Sequence, residues 1–386
     1  MNVVAPITAQ SNATRVERWP LSRMGAIVSE WHALALRALE PNVFYEPAFA
    51  LPAAALWGEE VGVDLVWSQT NRLLGFFPTR IERRYGVPPL VLTGWTHPYG
   101  PLGTPLVDRN DPAATILAWL DHLVADAELP WLVLLPFLPQ HGPFTAALDT
   151  ALAQRLMPSG LFGLHRRAAL APGDDRADYV ERTIGAKKRK ELRRQRNRLA
   201  DLGTLKIEST TQAGLIEEPL RDFLELEGRG WKGRAGTAAA NDEATRRFFE
   251  DAVGGLAAER QARIDRLRIG SRTIAAVITL SSGERAWTWK IAYDEEFARS
   301  SPGVQLMIEV TEALLADSAT TEADSCATAD HPMIDHLWGE RLAVSDRLIA
   351  LRPAPLQFDL ACRLESFRRS GVALAKELRD RLRPRA

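Results

Sequence analysis

The sequence predicts a mixed α/β protein of two tandem lobes, each a mixed, mostly antiparallel sheet flanked by helices. Three observations carry this. The chain has 386 residues, more than the roughly 100–200 that one ordinary core holds. In the second half RIDRLRIG (263–270), TIAAVITL (273–280) and RAWTWKIAY (285–293) read as strands, joined by turns at Gly270-Ser271 and Ser282-Gly283 into an antiparallel meander. The first half runs through a similar order of helices and strands without detectable residue-level identity.

In order, helical periodicity at 20–39 and 47–57 precedes strands at 61–68, 72–82 and 89–95 and a helix at 113–127. The apolar run WLVLLPF (131–137) reads as a buried strand, 144–157 as a helix and FGLHRRAAL (162–170) as a strand. LKIEST then alternates like a strand, and 213–228 and 243–259 are helical, the latter capped by Asn241 or Asp242. After the meander come an amphipathic helix at 303–316, a short strand near 322–327, a helix near 333–343 and an extended piece over 343–351. The expected division is a first lobe over 1–175, a second over 176–352 and a helical extension over 353–386.

Composition narrows the function. With 46% hydrophobic and 25% charged residues and unpatterned Gly and Pro, the chain is a globular protein, not a disordered or fibrous one. Its longest apolar stretch, Trp131 to Leu138, is broken by Pro136 and falls short of the ~20 residues a membrane span needs. The first twenty residues lack a leader pattern, so a cytoplasmic protein is expected. Cys326 and Cys362 form no zinc-spaced cluster with histidines, and no metal is expected.

A net charge of -1 argues against a surface built for nucleic acid. The charge is uneven, however. From Arg182 to Lys206 there are ten basic and two acidic residues, on a predicted helix whose apolar seam is Leu192, Leu199 and Leu202. A solvated face is the favoured reading, and a phosphate-binding ridge its competitor.

Three blocks, YVERTIGAKKRKELRRQRNRLADLG (179–203), FLELEGRGWKGRAGTA (223–238) and TWKIAYDEEFARSSPGVQL (288–306), resemble the CelD/BcsL-type acetyltransferase domain of the GNAT superfamily. The tandem arrangement also resembles Fem-type proteins. The resemblance covers roughly 175–345 and implies acyl transfer from an acyl-thioester, acetyl-CoA or another acyl-CoA as co-substrate, with a connection to polysaccharide biosynthesis. Two departures stand out: Asp-His-Pro-Met (330–333) replaces an aromatic-Lys pair found in many relatives, and GPLGTPLVDRNDP (100–112) lacks the basic-then-glycine arrangement, so the first lobe reads as degenerate.

Within that frame the turn Arg299-Ser-Ser-Pro-Gly303 before a helix is the expected pyrophosphate site: Gly303 admits the phosphates, Ser301 caps, Arg299 adds charge, and Val304 lies in the first turn. Strict alternation puts Trp287, Trp289 and Ile291 on one face of their strand and Thr288, Lys290 and Ala292 on the other. Backbone groups of Trp289, Lys290 and Ile291 are expected to pair with the pantetheine arm, and Lys290 points into the cleft or to solvent. Asp324 is the first choice of base or acceptor anchor, with Tyr293 or His331 as proton donor to the thiolate. Each has an ordinary alternative, as turn residue, core aromatic or surface histidine. GRGWKGRAGTA (228–238) reads as a loop in which Trp231 stacks on an acceptor and Lys232 and Arg234 hold an anionic group, with Glu227 a further cleft carboxylate.

The leading expectation is an N- or O-acyltransferase acting by direct attack on the thioester, with a small or saccharide acceptor. A Fem-like enzyme taking an aminoacyl group from tRNA, and a catalytically silent binding module, are the alternatives.

Overall fold

The computed structural model describes residues 14–173 and 175–382. Residues 1–13, the larger part of the stretch read for a leader, and 383–386, the end of the C-terminal extension, lie outside the described residues. The first part of the chain forms β1 (Arg15–Pro20), α1 (Val28–Ala35), α2 (Pro47–Trp57), β2 (Gly62–Trp67), β3 (Leu73–Glu82), β4 (Val91–Gly94), β5 (Leu106–Val107), α3 (Pro112–Ala125), β6 (Leu132–Pro139), α4 (Pro143–Gln154) and β7 (Ser159–Leu170). The second forms α5 (Tyr179–Thr183), α6 (Ala186–Ala200), β8 (Leu205–Thr210), α7 (Glu217–Arg229), α8 (Trp231–Arg234), α9 (Glu243–Ala258), β9 (Ala262–Ile269), β10 (Arg272–Ser282), β11 (Arg285–Tyr293), α10 (Pro302–Ala316), β12 (Glu322–Asp324), β13 (Glu340–Ala350) and α11 (Pro355–Leu382).

Local chemistry accounts for the elements that frame the site. The α7 helix buries Leu220, Phe223, Leu224 and Glu227, three and four apart on one face. Asp242 caps α9 by accepting from the Thr245 N–H. Pro302 starts α10 in the first turn, where its missing N–H costs no bond. Among the described residues no helix is long and apolar enough to cross a membrane.

All strands join one sheet in the order β1-β2-β3-β4-β6-β13-β7-β12-β11-β10-β9-β8, with β5 on β3. The lobes therefore exchange strands: β13, last in the chain, lies between β6 and β7, while β7 pairs with β12 of the second part. A single apolar cluster crosses the junction, with Phe49 edge-on to both Phe248 and Trp289, at 5.3 and 5.4 Å between ring centroids. At the strand junction Arg167 of β7 pairs with Asp324 of β12 at 2.5 Å, both side chains buried.

Several expectations are corrected. Residues 333–343 are not a helix; a single turn at Ile334–His336 precedes β13, whose pairing on both edges outweighs local helical spacing. The segment 228–238 is not all loop, because α7 runs to Arg229 and α8 adds a turn. Leu202 is 65% exposed, and the buried side of α6 consists of Leu192, Gln195 and Leu199. The stretch 20–39 divides into a short 3₁₀ segment (Leu21–Ile27) and α1. The sequence reading missed β1 and the two-residue β5 altogether.

Removing one member of a buried ion pair leaves the other charge without compensation, at a cost of about 3–5 kcal/mol. Arg167→Ala should therefore lower unfolding free energy by about that amount in urea titration. The double change Arg167→Met with Asp324→Leu should recover most of the loss, since it removes both charges together.

Candidate functional site

The site forms where β11 loses its neighbour. The parallel pairing of β11 with β12 spans only Arg285 to Trp287 against Glu322 to Asp324, while β11 continues to Tyr293. Beyond Trp287 that edge of β11 has no strand partner among the described residues. On its other edge the register with β10 slips between Ile278 and Thr279, opposite Lys290 and Thr288, so Trp289 is the extra residue of a bulge. The bulge overturns the strict alternation expected from sequence. Trp289 and Ala292 pack in the interlobe cluster with Trp287, whereas Ile291 faces the cluster beneath α10.

Lys290 consequently turns toward the interlobe side. Its Nζ lies 4.5 Å from the centre of the Tyr99 ring and 5.7 Å from that of Trp289. Burial first, and then the neighbouring Lys232 ammonium, push the Lys290 ammonium down to about 8, opposed by Glu227 and Cys326. Tyr99 is pushed up to about 12 by burial and then by Glu227 and Asp242, and His97 down to about 3 by burial and then by Lys290. Glu227, buried at the end of α7, accepts from Lys232 Nζ at 2.5 Å and from the Ala239 N–H at 2.9 Å. A lysine with a lowered affinity for its proton, a tethered carboxylate and the face of a tyrosine thus share one enclosure fed by both lobes.

Next to it a small depression is lined by Glu227, Gly230, Trp231, Lys232, Ile291 and Tyr293, among others. The α8 turn that forms its lip is docked on Glu295, which accepts from the Trp231 N–H and from Arg234, each at 2.7 Å. Trp231 itself is 60% exposed. On the other side of β11 is the N-terminus of α10. There a β-carbon on Gly303 would lie 3.4 Å from Tyr293 Cδ1 and 3.5 Å from Ile291 Cδ1, in contact with both. Ser301 at the N-cap holds a left-handed backbone, φ 49°, and its side chain does not cap the helix. The first-turn N–H groups are thus left without a side-chain acceptor, the condition under which a helix end receives an anion. Arg299 is exposed and Val304 half-buried beside it.

Trp289, Lys290, Ile291, Tyr293, Gly303, Glu227, Trp231, Lys232 and Arg234 are therefore brought around the free half of β11. Asp324 is elsewhere in role: one carboxylate oxygen is held by Arg167 and the other accepts the Cys326 N–H at 2.9 Å. His331 Nδ1 accepts the Met333 N–H, and Met333 Sδ reaches within 3.8 Å of the Gly303 β-carbon position. Sequence reasoning missed Tyr99 and His97, which come from the first lobe; the only signal was the aromatic, Gly- and Pro-rich run GWTHPYGPLG.

Residues 186–331 match the family model described as an acetyltransferase (GNAT) domain. This segment has the fold of a GNAT domain. Among solved structures it is similar to FemX, with a TM-score of 0.57, 10% identity, and coverage of 85% of this chain and 97% of that one. It is also similar to the C-terminal domain of a putative lysylphosphatidylglycerol synthetase from Agrobacterium fabrum, with a TM-score of 0.54, 10% identity, and 87% and 95% coverage. A conserved protein of unknown function from Bacteroides thetaiotaomicron gives a TM-score of 0.50 at 11% identity over 85% and 97%. At these identities the likeness is one of fold. Among curated proteins no sequence matches. The GNAT match begins at α6 and ends at His331, so it spans every residue of the free β11 edge and the α10 turn, but none of the first-lobe residues that face Lys290.

The depressed Lys290 proton affinity has a stability consequence. Between pH 8 and the ordinary 10.5 the unfolded chain holds the Lys290 proton and the folded chain does not, so this residue adds stability as pH rises through that window. Below it, burying the charge costs on the order of 3 kcal/mol. Lys290→Met should accordingly be more stable than the parent at pH 7, with the advantage shrinking as pH approaches 10.5 in paired denaturation curves.

Proposed function

We propose that the protein is an acyl-CoA-dependent N- or O-acyltransferase whose reaction centre is the free half of β11. The observation that carries this is the parting of β11 from β12 after Trp287, which exposes the strand edge between the α10 turn and the Lys290 enclosure. The residues suit an acyl-CoA: the N–H groups of the α10 first turn with Arg299 and Ser301 would receive the pyrophosphate, Gly303 and Val304 leave room for it, and the edge of Trp289 to Ile291 offers backbone groups to the amide arm. The first lobe is poorly suited to the same task. Asp111 stands at the N-cap of its corresponding helix α3, and a carboxylate there repels phosphate.

In this reading the acceptor lies in the depression beside Trp231, Lys232 and Arg234. Its amine or hydroxyl attacks the thioester carbonyl as the neutral Lys290 amine takes its proton, the C–S bond breaks, and the thiolate receives a proton from Tyr293. Lys290 thus replaces Asp324 as proposed base, with Glu227 and Lys232 setting its charge and His331 supporting the α10 turn through Met333. We assign the closer kinship to the CelD/BcsL-type branch, with a saccharide or small polar acceptor, on the strength of the three sequence blocks. We read residues 1–175 as the degenerate lobe and 176–352 as the catalytic one.

A second reading is favoured by α6. It packs beside the segment leading into α10, with Arg196 bonded to Glu309 at 2.5 Å, and it exposes Lys187, Lys188, Lys190, Arg193 and Arg198 with no acidic partner in bonding range among the described residues. A Fem-like enzyme would use that ridge for an aminoacyl-tRNA.

Acetyl-CoA should raise the melting temperature of the wild type, and Gly303→Asp should abolish the rise by crowding the turn and repelling phosphate. Absence of any shift with the folded wild type at millimolar CoA would refute the reading. With an acceptor in hand, Lys290→Met and Tyr293→Phe should lower kcat, the former by ~10²–10⁴, while Trp231→Ala should mainly raise the acceptor KM. Salt-sensitive RNA binding that is lost in Lys190→Glu, Arg193→Glu, Arg198→Glu would instead favour the second reading.

A further inference from the structure

The sequence contains no metal-spaced cluster, yet folding gathers one from three distant segments. His32, in the last turn of α1, presents Nδ1 to Glu46 Oε2 at 3.9 Å and to Glu259 Oε2 at 3.4 Å. The three ligand atoms lie within 4.8 Å of one another. Glu46 stands at the N-cap of α2 and Glu259 at the C-cap of α9, so the group bridges the two lobes. It sits by the hairpin end of β10, where Ser282 faces Arg285, the opposite end from Tyr293.

Three buried polar atoms there lack a hydrogen bond. Glu46 is 1% exposed; Oε1 accepts from Ser282 Oγ at 2.6 Å and from Gln261 Nε2 at 3.3 Å, but Oε2, facing His32, has no hydrogen bond. Gln261 is 9% exposed, and its Oε1 is also unbonded, as is His32 Nδ1. Buried acceptors without donors are costly and uncommon. Among the described residues no arginine or lysine is bonded to either acid, and an unbonded imidazole nitrogen grouped within 4.8 Å with an oxygen of each of two carboxylates, one of them buried and unbonded, is what a cation would satisfy.

We propose that His32, Glu46 and Glu259 bind a divalent first-row transition ion, zinc being the best match, and that the ion ties the lobes together. One imidazole nitrogen with two carboxylate oxygens is a zinc donor set. Metal–ligand bonds of ~2.0–2.2 Å place tetrahedral ligand atoms about 3.3–3.6 Å apart; His32 and Glu259, at 3.4 Å, already fit, and Glu46, 3.9 Å from His32, would draw in slightly on binding. The two carboxylates offset the ion's charge, and Gln261 Oε1 or a water supplies a fourth donor. Harder ions such as magnesium prefer all-oxygen octahedra, so the histidine selects against them.

The test uses the full chain, free of affinity tags and stripped with chelator, titrated with zinc by calorimetry and followed by thermal melting. One zinc per chain and a raised melting temperature are expected, with no comparable effect of magnesium. His32→Ala and Glu259→Gln, both at partly exposed positions and so compatible with folding, should each weaken zinc at least as much as the ~10–100-fold that loss of an outer partner costs. Failure of the folded wild type to bind zinc at near-millimolar concentration, or unchanged affinity in both variants, would overturn the proposal. Acetyl-CoA binding by the stripped protein is the internal control, since the acyl-transfer site shares no residue with this one.

Discussion

The exchange of β7 and β13 between lobes is the constraint on which the rest of the structure depends. Because β7 takes up the outer edge of β12, that short strand is held away from the far half of β11, and the pairing between β11 and β12 stops after three residues. The buried Arg167–Asp324 pair locks this junction. A carboxylate that looks catalytic in sequence thereby becomes part of the frame, and the unpaired edge it helps create becomes the candidate site. Neither lobe has a complete sheet without the other, and Phe49, Phe248 and Trp289 continue the same dependence through the core.

The second determinant is the bulge at Trp289. One extra residue in the strand turns Lys290 from the α10 side to the interlobe side, under Tyr99, where burial and Lys232 weaken its hold on a proton. The first lobe, whose helix α3 carries Asp111 at its N-cap, supplies the aromatic wall of that enclosure. Two chemically different neighbourhoods thus flank one strand: N–H donors and glycine at α10, and a lysine, a carboxylate and aromatic rings on the other side.

Much of this was legible in the sequence because it is local. The meander, the α10 turn, the capped α9 and the basic α6 follow from period, turn residues and caps, and the second-lobe residues gathered around β11 follow from their place on those elements. What was not legible is long-range. Nothing local says that Glu340–Ala350 pairs with both β6 and β7, so its start was read as helix. The strict alternation assigned to Trp289, Lys290 and Ile291 failed because a bulge is a property of register, set by the partner strand. The partners of Asp324, and the meeting of His32 with Glu46 and Glu259, join residues too far apart in the chain for any spacing rule.

The claim at the centre is that the free half of β11 and the first turn of α10 form one binding edge for the acyl donor. Hydrogen exchange of the backbone amides, with and without CoA, addresses it residue by residue. The account predicts added protection confined to the stretch from Trp289 to Tyr293 and the turn from Ser301 to Gln305, with the first-lobe helix α3 unchanged. Protection centred on α3 or elsewhere in the first lobe, or none at saturating CoA, would contradict it.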